Sequence, residues 1–135
     1  FMVYSFADRY STILHVWNTT TFSPKFEQDY YGIPSVGLNK RNLQICMPIN
    51  GKRKDCFTHA KEVPANQWVK VRISQERTPL EEYVYSIQVN KTVVHGHIIN
   101  KQPQRYKYAT VFTGDPWFPS VHGKIRRAII MSRKL

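Results

Sequence analysis

Between residues 68 and 74 the chain reads Trp-Val-Lys-Val-Arg-Ile-Ser, with apolar and basic or polar side chains in near-strict alternation. Successive side chains of a pleated backbone leave opposite faces, so this pattern marks a half-buried β-strand. It places Val69, Val71 and Ile73 on a buried face and Trp68, Lys70, Arg72 and Ser74 on an open one. Sustained helical periodicity is found nowhere, and helix-favouring Ala and Leu are sparse. Residues 83–89 alternate in the same way, with Tyr83, Tyr85, Ile87 and Val89 on one side. Asn90-Lys91 then supplies a two-residue turn into residues 92–98, which reads as a hairpin, although Asn-Lys is a poorer turn pair than Asn-Gly. Runs rich in Val, Ile, Tyr, Phe and Thr predict further strands over 2–7, 12–17, 33–38, 43–47, 56–60, 106–113 and 124–131. About ten short strands with regular turn signals point to an all-β sandwich or barrel rather than an α+β fold. The stretch 19–31, holding Pro24 and mixed charges, reads as a long surface loop, and Thr113-Gly114-Asp115-Pro116-Trp117 as a second.

A chain of 135 residues fits one domain, 1–135, and can bury a core without a metal or a disulfide mesh. Its apolar runs reach about four residues, far short of the roughly 20 that span a bilayer, so membrane insertion is not expected. It opens on Phe1-Met2-Val3 with no charged segment before an apolar one, and reads as a fragment of a larger protein.

Lys and Arg number 20 against 9 Asp and Glu, a net charge of +11. Such a surface favours anionic partners, and the scarcity of carboxylates weakens calcium cages and acid–base pairs. The cations cluster as Lys40-Arg41, Lys52-Arg53-Lys54, Lys70 with Arg72, Arg105 with Lys107, and Lys124, Arg126 and Arg127. Any one cluster reads first as a solvated surface; the excess as a whole favours a polyanion or an acidic protein. Trp17 and Trp68 lie in strand-like stretches and read as core. Trp117-Phe118 sits in a Pro-flanked loop, where large rings are hard to bury, and is a candidate contact pair.

Cys46 and Cys56 flank Asn50-Gly51. Were Asn50-Gly51 to cap a hairpin, facing residue numbers would sum to about 101, and 46 plus 56 gives 102. A bridge is geometrically allowed; two buried free thiols are the alternative. Asn18-Thr19-Thr20 and Asn90-Lys91-Thr92 are N-glycosylation triplets and, with the cysteines, tilt the compartment outward. His95 and His97 share one strand face by period two, but no third ligand accompanies them and no metal is expected. Glycoside hydrolysis needs two carboxylates about 5 Å apart for retention or farther for inversion, which on one strand means positions i and i+2 or i+4. Glu81 and Glu82 are adjacent and point oppositely, while Glu76 and Asp115 stand alone. No Gly-x-Ser-x-Gly, Walker or His-Glu-x-x-His sequence occurs, so catalysis has no visible carrier.

The order of landmarks carries a resemblance. Asn50-Gly51 is followed by Asn66-Gln67-Trp68-Val69-Lys70-Val71-Arg72-Ile73, then Tyr83-Val84-Tyr85-Ser86-Ile87-Gln88-Val89-Asn90-Lys91, and finally Gly123-Lys124-Ile125-Arg126. Over residues 13–131 this resembles the concanavalin A-like jelly rolls, particularly laminin-G-like and pentraxin-like modules. There a Trp begins a central strand, the next strand ends in an Asn-Gly turn, and a late Gly-x-Ile begins the last strand. Here Lys91 replaces that Gly, and neither the rim-loop acidic residue of calcium-binding laminin-G-like modules nor the pentraxin carboxylate cluster has a counterpart. The resemblance therefore implies the fold, an antiparallel two-sheet jelly-roll β-sandwich, without a cofactor or metal. The resulting expectation is an extracellular, lectin-like, non-enzymatic module that binds an anionic polysaccharide or acidic protein, with no nucleic-acid role. Its contacts would be Lys52, Arg53, Lys54, Lys70, Arg72, Lys124, Arg126 and Arg127. The rival expectation is a structural or adhesive module packing on a sister chain, as a homo-oligomer or within a larger assembly.

Overall fold

The computed structural model describes residues 1–18, 32–106, 108–114 and 118–131, and for Asn18 the backbone alone. Among them there is no helix. Ten strands form: β1 (Met2–Ser5), β2 (Ser11–Asn18), β3 (Ser35–Asn39), β4 (Asn42–Ile49), β5 (Lys52–Glu62), β6 (Val71–Arg77), β7 (Tyr83–Val89), β8 (Thr92–Asn100), β9 (Ala109–Phe112) and β10 (His122–Lys124). They make a five-stranded sheet in the order β5-β4-β3-β2-β9, a three-stranded sheet β6-β7-β8 and a two-stranded sheet β1-β10. The pairings within each sheet are antiparallel. The all-β expectation holds at this level; the predicted loop over 19–31 lies outside the described residues.

Turn chemistry fixes the hairpins. Asn50 and Gly51 have φ of 51° and 78°, and Asn90 and Lys91 have φ of 48° and 69°. Both pairs are type I′ turns, whose twist matches that of the strands they join. Gly meets this demand without cost, and Asn tolerates it. Lys91 does neither, so the expected Asn90-Lys91 hairpin forms against the preference of its second residue. Around Asn50-Gly51, Ile49 faces Lys52 and Cys46 faces Cys56. The register shifts between Met47 and Ile49, where β5 carries one extra residue. That bulge converts the turn's sum of 101 into the 102 of the cysteine pair, and Cys46–Cys56 is a disulfide across directly opposed residues.

One apolar cluster draws on all three sheets. Ile13, Val36, Leu38, Leu43, Ile45 and Ile49 come from the five-stranded sheet, Tyr85 and Ile87 from the three-stranded one, and Val3 from β1. Ile87 is fully buried, and burying such a side chain stabilises by about 1.5–3 kcal/mol. Val63 and Val69, in the connections, complete the cluster.

Two links tie β4–β5 to β7–β8. The Phe57 ring stacks on His95 at 4.5 Å between centroids, and Tyr85 meets His95 edge-on at 6.0 Å. At the hairpin tip, the Asn100 side-chain oxygen accepts from the Asn50 N–H at 3.0 Å. Asn50 returns the contact, accepting from the Lys101 N–H at 2.6 Å and donating to the Ile99 carbonyl at 3.1 Å.

Several sequence expectations need correction. The strand expected over 68–74 joins its ladder only at Val71. Trp68 instead bridges Met2, and the Val69 N–H donates to the Phe1 carbonyl at 2.7 Å. The strand expected over 124–131 ends at Lys124, and Ile125, Ile129, Ile130 and Met131 lie exposed beyond it. His95 and His97 do not share a face: β8 shifts register twice, His97 takes φ of 60°, and His95 packs inward on Phe57 while His97 is exposed.

Candidate functional site

Val69 is 3% exposed, and the side chains that alternate with it, Lys70 and Arg72, are exposed as the pattern requires. Pairing then adds what alternation alone does not contain. Arg72 faces Gln88 across the β6–β7 ladder, and Val71 faces Val89, so the turn after β7 returns beside Lys70. Asn90 locks that approach: its side-chain oxygen accepts from the Lys70 N–H at 2.9 Å, and its own N–H donates to the Lys70 carbonyl at 2.8 Å. Lys70, Arg72, Gln88 and Lys91 thereby surround a depression of about 170 Å³.

One carboxylate reaches into this group. The Arg72 guanidinium donates to Glu76 at 3.1 Å, with both side chains more than half exposed. Exposed pairs of this kind contribute about 0–1 kcal/mol, and a guanidinium has five N–H donors, so Arg72 keeps donors for another anion. The amide of Gln88 offers N–H donors beside the three cations.

The basic side continues beyond Lys70. The Arg126 guanidinium lies 3.9 Å over the half-buried Trp68 ring. Trp68 is therefore the floor of a cation–π stack: its partial exposure agrees with the open face that alternation gives it and corrects the core-filling reading. Trp17, by contrast, is 7% exposed, as expected of core. Lys124 sits with its ammonium 5.7 Å from the Tyr4 ring centroid. The neighbouring Tyr4 side chain raises the Lys124 pKa above the ordinary lysine value. Lys124 faces Met2, and Met2 bridges Trp68, so these residues follow one another across the sheet edges.

Lys52, Arg53 and Lys54 do not join this group. Their hairpin tip is held to Asn100 and Lys101, and Asn100 pairs through Tyr83 to Arg77 at the far end of β6. Six residues of strand, about 20 Å, separate that end from Val71. The single patch expected from sequence is thus two. Arg127 is exposed with φ of 52°, beyond the last strand. Arg41 pairs with Glu62 at 3.3 Å and covers the Phe6 ring at 4.7 Å. Arg105 is exposed outside any strand, and Lys107 lies outside the described residues.

The remaining candidates divide likewise. Trp117 is outside the described residues, while Phe118 is 39% exposed and meets the Tyr10 ring edge-on at 5.1 Å. Asn90 is exposed at its turn; Asn18 ends β2, with its side chain outside the described residues. Among the described residues no three His, Cys, Asp or Glu side chains gather as a metal site would require. A larger cavity of about 330 Å³ lies where β1 and β10 meet. Its one basic side chain among the described residues is Lys124, so it does not gather cations as the smaller depression does.

Sequence reasoning missed Lys91 and Gln88. The register of β6 on β7 decides them: a five-residue link, 78–82, sets facing numbers to sum to 160, which brings 72 to 88 and 70 to 90, and alternation within each strand does not contain it. No family model matches the chain, and no curated protein or solved structure is significantly similar to it.

Proposed function

We propose that the chain is an extracellular, non-enzymatic recognition module. In this reading Lys70, Arg72, Lys91 and Gln88 take an anionic group of a glycan, with Arg126 on Trp68 and Lys124 extending the contact. The observation that carries it is the convergence of three cations and an amide on one depression. A sulfate or carboxylate there gains charge-assisted hydrogen bonds from several donors at once. The disulfide supports an oxidising compartment, since such bonds persist outside the reducing cytosol. No helix among the described residues is long and apolar enough to cross a membrane. We read the architecture as a two-sheet sandwich of jelly-roll, laminin-G-like type. The shared apolar cluster and the two links between β4–β5 and β7–β8 support the packing of two layers, and the order of the sequence landmarks supports the jelly-roll type.

The test separates local geometry from total charge. Lys70→Glu/Arg72→Glu/Lys91→Glu and Lys52→Glu/Arg53→Glu/Lys54→Glu each lower the net charge from +11 by six, to +5. On immobilised heparin the wild-type sequence, produced without glycosylation as both variants are, should be retained well beyond about 0.15 M salt, where screening reaches about 8 Å. The first triple variant should elute at or below that salt, and the second should remain closer to wild type. Equal losses in the two variants would reduce the interaction to bulk charge and remove the depression from it.

One observation favours packing on another chain: Ile129 and Met131 are 75% and 77% exposed beyond β10, with Ile125 and Ile130 beside them. Exposed apolar stretches mark contact surfaces. Against a sister copy stands the charge of +11, which repels its like. Self-association should therefore appear in light scattering as a mass that rises with salt, and Ile129→Ser/Met131→Ser should abolish the rise. A monomeric mass at all salt concentrations removes this reading.

A further inference from the structure

We infer that Asn90 is a glycan acceptor and that its glycan gates the neighbouring anion site, an inference that rests on the basic-face reading for its second half. Asn90-Lys91-Thr92 has the acceptor pattern, and the fold places the whole triplet at an exposed turn. In the attachment step, the Asn90 side-chain nitrogen bonds to the anomeric carbon of an oligosaccharide carried on a lipid diphosphate. The bond from that carbon to the diphosphate oxygen breaks, the nitrogen loses one proton, and the lipid diphosphate leaves; nothing is oxidised or reduced. The product is a secondary amide that keeps its oxygen. That oxygen is the atom which accepts the Lys70 N–H at 2.9 Å, so the modified chain retains the bond that seats the turn.

Position gives the modification its consequence. Lys91, next in the chain, lines the depression, and so does Lys70, which Asn90 holds by two hydrogen bonds. Asn90 is not itself in the lining of this depression of about 170 Å³, but a sugar on its nitrogen begins beside Lys91 and Lys70, which are. Its first rings compete for that volume with any anionic group approaching Lys70, Arg72 and Lys91. The occupied form is closed to bulky polyanions, whereas the unoccupied form is open. Whether Asn90 is occupied thus sets how much of the secreted chain can bind.

The experiment uses the full chain secreted from eukaryotic cells as wild type, Thr92→Ala and Thr92→Ser. Thr92→Ala destroys the acceptor pattern but leaves Asn90 and its bonds to Lys70 in place; Thr92→Ser restores the pattern. Peptide masses read occupancy at Asn90 separately from Asn18, and binding of a defined sulfated oligosaccharide is measured on each form. Asn90 should carry a glycan in wild type and Thr92→Ser but not in Thr92→Ala. The unoccupied variant should bind at least about tenfold more tightly. An unmodified Asn90 in the secreted wild type overturns the inference. Equal, firm binding by occupied and unoccupied forms overturns the gate and leaves the basic face standing. Failure of the unoccupied Thr92→Ala chain to bind at low salt overturns the basic face, and the gate with it.

Discussion

Asn100→Leu should lower the stability of the chain by about 3 kcal/mol, although it replaces one buried side chain by another of similar size. Asn100 is 2% exposed. Its oxygen accepts from the N–H groups of Asn50 at 3.0 Å and Gln102 at 3.1 Å, and its amide donates to the Gln75 side chain at 2.7 Å. Leucine satisfies none of the three. Each polar group stranded in a buried site costs about 1–3 kcal/mol, and those nearest the exposed tip recover water, which holds the total below the sum. For a chain of this size the loss corresponds to a fall in Tm of about 10 °C. Asn50→Gly keeps the positive φ of the turn while deleting the bonds from Asn50 to Lys101 and Ile99. Because both substitutions open the same joint, the double variant should lose less than the two single losses combined. A loss below about 1 kcal/mol for Asn100→Leu would show that the Asn100 bonds carry little of the joint, which would then rest on apolar contact and the bonds of Asn50 to Lys101 and Ile99.

Much of this joint was legible in outline and not in detail. Asn-Gly at 50–51 marks a hairpin tip, and counting outward from it brings the cysteines within one residue of register. The missing residue is the bulge in β5, and nothing in Lys52-Arg53-Lys54 announces it. Pro48, with no N–H to offer the ladder, stands opposite the disturbance and is its nearest local sign. Bulges also undo the reading of His95 and His97. Period-two arithmetic holds only along an unbroken pleat, and β8 is interrupted on both sides of His95.

The candidate site divides along the same line between local and distant information. Lys70 and Arg72 follow from alternation within seven residues, and their exposure agrees with it. Lys91 enters through the register of β6 on β7, which alternation leaves undetermined. Arg126 on Trp68 depends on β1 lying between distant segments, Met2 pairing with Lys124 and bridging Trp68. Contacts between residues so far apart leave no periodic trace. The core-filling reading of Trp68 rests on its place at the start of a strand-like run, whereas the Arg126 guanidinium is what covers its ring.

Tyr85 should make the fold alkali-sensitive from about pH 10 upward. Its ring is 2% exposed, where β7 meets His95. Burial raises the pKa of its phenol above the ordinary value of 10.0, and the negative charge of Asp55 raises it further. Above pH 10 the unfolded chain releases this proton while the native chain holds it, so the unfolded state binds fewer protons and stability falls as pH rises. The contribution is fully present below pH 10 and declines by about 1.4 kcal/mol for each pH unit above it, until the native phenol itself ionises. Other tyrosines and the lysines titrate in the same range, so the measurement is a difference. Denaturant unfolding of wild type and Tyr85→Phe should run parallel from pH 7 to 9.5. The two should then diverge, with the phenylalanine variant gaining about 2 kcal/mol on wild type by pH 11.5. Phenolate absorbance should show one tyrosine in the wild type that ionises only as the chain unfolds. Parallel curves to the end of the range would mean that the Tyr85 hydroxyl reaches water, and that the contact between Phe57, His95 and Tyr85 is open to solvent at that point.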